Sequence, residues 1–430
     1  MFGGESVACV VAPVTAHLCS FHPSSDPSVS EALVQMASPR ADITPEVLKW
    51  ARERAHYTTA EAATKAGTSE ERYIDFEEGD KSPTLKQLYD LAKAFRQSVG
   101  TFYLEAPPEK EEPLKEMRRL SDAPPVRESS SLATAVEDVL QRRRNALDMY
   151  SDLGEEPPQW QIRASLDADP ESVGTEVRDY VNAEISEQQR ISRPYQALDY
   201  WRNLLAQRGV LTFQIPRVSV EEMRGFAISK FPLPVVGVNR KDSPTARIFT
   251  LLHEVGHILL EDSILHHNPP SSNPKDDDLS RGESSDDEIE RFCNEVAAAT
   301  IIPKGHLLDI RKVTSKGKKA IWGKSDIREI SSMYSISPAV AVRRLFNFDC
   351  IADSVFYNLV EEFDRYNPAE EGSESDGGNY YKNQRSELGN FYSDLAFRAY
   401  NNGSVNLSDL SSILDVKIDN LPRYRKEVYS

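Results

Sequence analysis

The chain is poor in cysteine. Cys9, Cys19, Cys293 and Cys350 are all that its 430 residues contain, and none lie in a CxxC pair. That excludes a disulfide framework and fits a reducing, cytoplasmic setting. No stretch of about 18 apolar residues occurs, so no membrane-spanning helix is expected. The N-terminus is mildly apolar from Val7 to Val14 but has no basic segment, and Glu5 stands where positive charge belongs. A secretory leader is therefore not expected. Positive charge is also short overall, the formal net charge being -17. A protein that coats nucleic acid non-specifically needs a cationic surface and is excluded, although one local DNA-reading element is not. Internal repeats are absent.

The length predicts two or three domains. A mean hydropathy of -0.51 assigns part of it to loops and linkers. Residues 1–38 read as a disordered leader. Residues 39–105 read as a compact all-α domain. Pro45 opens a helix whose apolar face is Val47, Leu48, Trp50, Ala51 and Ala55. Thr58 or Thr59 caps a second helix ended by Gly67, and Ser69 caps a third over 70–78 closed by Gly79. A fourth starts at Pro83-Thr84 with Leu85, Leu88, Leu91, Ala92 and Phe95 at helical spacing. Two short helices joined by a glycine-containing turn make a helix-turn-helix pattern. Residues 106–205 read as a linker, rich in Pro, Glu and Lys to 128, and then a helical connector with Leu140, Leu147 and Tyr150 buried.

From 206 to about 350 the texture changes. Val210–Ile215, Gly225–Ile228 and Val235–Val238 are short β-rich runs, a small sheet placed just before a helix. Ser243 caps that helix and Pro244 sits at its first position. On it, His253 and His257 are four apart, so both imidazoles share one face with Cβ atoms about 5–6 Å apart, close enough for one metal. Glu254 sits beside the first histidine, placed to reach water without being a ligand. A hydrolytic zinc site wants three protein ligands and one open position. The third ligand is Glu290 or one of its rivals, Glu288 and Glu295, on a helix predicted over about 288–302. Its Ala297, Ala298 and Ala299 would let it pack closely on the histidine helix, and Asn294 is placed to orient a ligand. His266 and His267 read as loop residues, and Cys293 and Cys350 as small buried ones.

Such a site implies a zinc peptidase with Glu254 as general base. An extended substrate would pair with a sheet edge near 223–229. Two histidines and a carboxylate also suit manganese or iron. No oxyanion donor stands out, Arg224 being a weak candidate. Residues 262–287 form an acidic, Ser- and Pro-rich loop, 326–347 read as helical, 366–378 are a second acidic break, and 351–430 make a helical C-terminal region. The fold class is thus α+β: an all-α helix-turn-helix domain, a zincin-like metallopeptidase domain and a helical C-terminal region.

Several separate segments together resemble the ImmA/IrrE family of metallo-endopeptidases, in the long form fused to an XRE-type helix-turn-helix. They are Trp50-Ala-Arg-Glu-Arg54, Pro83-Thr-Leu-Lys-Gln-Leu88, Phe102-Tyr-Leu104, Met223-Arg-Gly-Phe226, Asn239, Asp242-Ser-Pro244, Arg247-Ile-Phe-Thr250, His253-Glu-Val-Gly-His257, Glu290-Arg-Phe-Cys-Asn294, Ala297-Ala298, Pro303 and Gly378-Asn-Tyr-Tyr381. The resemblance implies that His253, His257 and Glu290 hold zinc and that Glu254 is the base. It implies a protein substrate, a transcriptional repressor or related regulator, near toxin–antitoxin or mobile-element functions. The 262–287 loop is longer than that pattern. DNA contact through 58–79 would rest on Arg72, because Glu70, Glu71, Asp75, Glu77 and Glu78 crowd the third helix and repel phosphate. A domain that keeps this fold for homodimerisation or a protein partner is the other expectation for it. For the whole chain, the alternative is a non-catalytic, antitoxin-like transcriptional regulator that retains a structural zinc.

Overall fold

The computed structural model describes residues 40–55, 57–95, 97, 99–107, 118–119, 129–261, 264–265, 285–316, 322–364 and 379–430. The expected leader, most of the 106–128 linker, His266 and His267, the bulk of the 262–287 loop, and the 366–378 break lie outside the described residues.

Four helices come first: α1 (Pro45–Arg54), α2 (Thr59–Lys65), α3 (Glu70–Glu78) and α4 (Leu85–Phe95). Their ends follow local chemistry. The Thr58 hydroxyl accepts from the Glu61 N–H at 3.1 Å while the Glu61 carboxylate accepts from the Thr58 N–H at 2.7 Å, a reciprocal cap on α2. Gly79 ends α3 at φ 84°, a left-handed conformation that a Cβ would strain. Val47, Leu48, Tyr73, Phe76, Leu88 and Leu91 make the core. Arg52 ties α1 to α3, donating from Nε and Nη2 to the two oxygens of Glu77 at 2.6 and 3.0 Å. This is the expected helix-turn-helix, formed by α2 and α3.

The connector is α5 (Ser130–Leu153), α6 (Pro170–Val181), α7 (Ile185–Arg190) and α8 (Pro194–Gln207). The sheet comprises β1 (Arg118–Arg119), β2 (Leu211–Ile215), β3 (Gly225–Ile228), β4 (Val235–Asn239) and β5 (Ile264–Leu265), in the order β1-β5-β3-β4-β2. β2 runs parallel to β4, from Leu211↔Val235 to Ile215↔Asn239, and β3 runs antiparallel to it. Two differences from expectation stand out. β1 and β5 fall in segments read as linker and polar loop, since strands of two residues carry no period-two pattern and depend on a backbone partner. As a result β3, expected to offer a free edge, is flanked by β4 and, at Phe226↔Leu265, by β5.

After the sheet come α9 (Pro244–Leu259), α10 (Ser285–Ile301), α11 (Lys304–Asp309), α12 (Arg311–Lys316), α13 (Lys324–Tyr334), α14 (Pro338–Asn347), α15 (Asp353–Asp364), α16 (Tyr380–Leu388), α17 (Asn390–Asn401), α18 (Leu407–Ile413) and α19 (Leu421–Val428). Side chains alternate across the sheet. Leu211, Phe213, Ile215, Phe226 and Ile228 enter a core with Val136 of α5 and Leu395, Phe397 and Tyr424 of the C-terminal helices. Ala227, Val236 and Val238 enter the opposite core with Trp201, Ile248, Leu252 and Val296. Each such large apolar side chain contributes about 1.5–3 kcal/mol by burial. On the outer strand β2 the alternate positions are polar. Arg202 of α8 donates to the Thr212 carbonyl at 2.9 Å and to the Ser386 carbonyl at 2.7 Å, and Gln214 also donates to Ser386 at 2.8 Å. These bonds hold α16 against the strand. Among the described residues, no helix is long and apolar enough to cross a membrane.

Candidate metal centre

The site is built on α9, and local sequence starts that helix at a fixed place. The Ser243 hydroxyl accepts from the Ala246 N–H at 3.2 Å, and Pro244 supplies the first turn. Arg247 donates to the Asp242 carbonyl at 2.8 Å. Just before, Asn239 donates to the carbonyls of Ser219 and Met223 at 3.1 and 2.7 Å, which fastens the turn that leads into β3. Covered by β3, β4, α8 and α10, the helix buries nearly all its side chains from Leu251 to Leu259.

His253 and His257 face the same way, their ring centroids 5.0 Å apart. Their Nε2 atoms are 3.2 Å apart. Glu290 of α10 points its carboxylate at the pair, Oε1 lying 3.2 Å from His257 Nε2 and Oε2 3.4 Å from His253 Nε2. The donor atoms of these three residues all lie within 4.8 Å of one another. Glu288 and Glu295, on the same helix, are exposed and stand outside the cluster. Asn294 places Oδ1 2.9 Å from His253 Nδ1. A carbonyl oxygen only accepts, so this contact puts the proton on Nδ1 and leaves the Nε2 lone pair directed into the cluster.

Glu254 is 0% exposed. Burial pushes its carboxyl well above the usual carboxylate range, and the neighbouring Glu290 charge pushes the same way. Sequence reasoning missed what covers it. A Cβ built on Gly225 of β3 would stand 2.7 Å from Glu254 Oε1 and 2.4 Å from Thr250 Cγ2. The strand backbone therefore passes directly over the acid. The available signal was a glycine inside a strand, which marks a close approach.

Other candidates fall elsewhere. Arg224 pairs with Asp242 at 3.1 Å. Ala297 is buried in the α9 core, but Ala299 packs on Gly174 of α6. Cys293 and Cys350 are buried and in no disulfide, as expected of small core residues. Arg72 is exposed on α3, flanked by the exposed Glu70, Glu71 and Glu78.

Residues 209–346 match the family model of the IrrE N-terminal-like domain, Peptidase_M78. Residues 48–102 match the helix-turn-helix model HTH_3. Searches of curated proteins and of solved structures return no match. The first span contains β2 to β4, both histidines and Glu290, and the second contains all of α2 to α4. The chain is therefore a fusion of an XRE-type helix-turn-helix with an IrrE/ImmA-like Peptidase_M78 domain.

Proposed function

We propose that this protein is a zinc-dependent endopeptidase that acts on a protein partner, a transcriptional repressor or related regulator. The observation that carries the reading is the convergence of His253, His257 and Glu290 beside the buried Glu254. The donor set suits zinc: two neutral imidazoles and a carboxylate leave one tetrahedral position open. Bonds of about 2.1 Å at tetrahedral angles put ligand atoms about 3.4 Å apart. The two Nε2 atoms are 3.2 Å apart, Glu290 meets them with different oxygens, Oε1 at 3.2 Å from His257 and Oε2 at 3.4 Å from His253, and one donor atom from each residue lies within 4.8 Å of the others. A zinc ion held there supplies Lewis acidity and lowers the pKa of water.

The chain's own residues do the rest. Asn294 holds the His253 tautomer. Glu254 takes a proton from the attacking water and returns it to the leaving amine. The helix-turn-helix brings this site to DNA or to a regulator. Residues 58–79 are the segment for that contact, with Arg72 on its exposed face.

The test is metal content and activity of the full chain beside Glu254→Gln and Glu290→Ala. The reading expects about one zinc per chain, retained in Glu254→Gln and lost in Glu290→Ala. Loss of the partner's cleavage in Glu254→Gln completes it. Full regulatory function in Glu254→Gln would instead make the protein a non-catalytic regulator with a structural zinc.

A further inference from the structure

Gly256 lies between the two histidines and is neither ligand nor base. In a helix interior a glycine costs about 1 kcal/mol relative to alanine. What it faces accounts for it. A Cβ at this position would stand 3.0 Å from Cys293 Cα, 3.0 Å from Cys293 Cβ and 2.9 Å from its Sγ. Two of those contacts involve atoms that no side-chain rotation moves away. The backbone of α10 thus rests on α9 at this point, and Cys293 is 0% exposed beneath it.

Glu290 precedes Cys293 by three residues, so the two share a face of α10 one above the other. The carboxylate of Glu290 reaches the histidines at 3.2 and 3.4 Å from this seat. We propose that Gly256 and Cys293 set the approach of α10 and thereby the reach of Glu290, making Gly256 a positioning residue for the third metal ligand. The inference rests on the zinc reading above. A larger residue at 256 moves α10 outward at the turn that carries Glu290, and a carboxylate displaced from its place cannot close the coordination shell.

A second glycine separates this role from simple packing. Gly174 of α6 also lies against α10, where a Cβ would meet Ala299 Cβ at 2.6 Å and Thr300 N at 2.8 Å. That contact is more than two turns from Glu290.

The experiment uses the full chain, with zinc affinity measured by competition with a chelating dye and Cys293 protection by alkylation and mass mapping. Gly256→Ala is expected to bind zinc about 10- to 100-fold more weakly and to expose Cys293 in the folded protein. The exchange Gly256→Ala with Cys293→Gly is expected to recover most of the affinity. Gly174→Ala is expected to lower thermal stability without changing zinc affinity. Wild-type affinity in Gly256→Ala, or equal weakening in Gly174→Ala, overturns the inference alone. Absence of zinc from the wild-type protein overturns the ligand assignment and this inference with it.

Discussion

Asn294 Oδ1 lies 2.9 Å from His253 Nδ1, one turn beyond Glu290 on the same helix. A single helix therefore supplies both a carboxylate for the cluster and the group that orients one of its imidazoles. Replacing such an outer partner costs about 10- to 100-fold in metal affinity. Asn294→Ala is expected to show that loss, and Asn294→Asp, which keeps an acceptor oxygen, to restore most of it. Isothermal titration with zinc decides, and equal affinity in all three proteins removes Asn294 from the site.

Gly225 gives a different signature. The Cβ of Gly225→Ala would press on Thr250 Cγ2 and Glu254 Oε1, at 2.4 and 2.7 Å, and not on the three clustered donors. Overpacking of this kind costs about 1–3 kcal/mol. Urea denaturation should show that loss, zinc content should hold, and peptide hydrolysis should fall well beyond the loss of folded protein. A variant that stays as active as wild type would mean that the strand can move off Glu254 without consequence.

Away from the site, Asp326 governs a pH effect. Burial works against its charge. Lys316 at 2.5 Å, the Gly323 N–H at 2.9 Å and Lys312 at 3.1 Å outweigh it and hold the carboxyl down at about 2, against an ordinary 3.8. A folded pKa below the unfolded one stabilises above the unfolded value, and the contribution fades as pH falls from about 4 through about 2. Asp326→Asn is expected to flatten the stability–pH curve in that window, measured by denaturant midpoints. An unchanged slope would show that the lysines do not favour the charged carboxylate.

Much was determined by the sequence alone. The caps and glycines that start and stop α2, α3 and α9 act within a few residues, so local chemistry decides those ends. The four-residue spacing of His253 and His257 becomes a shared face in any helix. The short β-rich runs of β2 to β4 name the strands without their partners. Only the tertiary structure decided the rest, because it depends on contacts between distant segments. It brought Glu290, and not Glu288 or Glu295, up to the two histidines by the way α10 turns against α9. It paired β5 with β3, where two residues carry no pattern of their own. It laid β3 over Glu254 and α10 over Gly256, two glycines whose sequence neighbours do not say what will fill the space a side chain leaves.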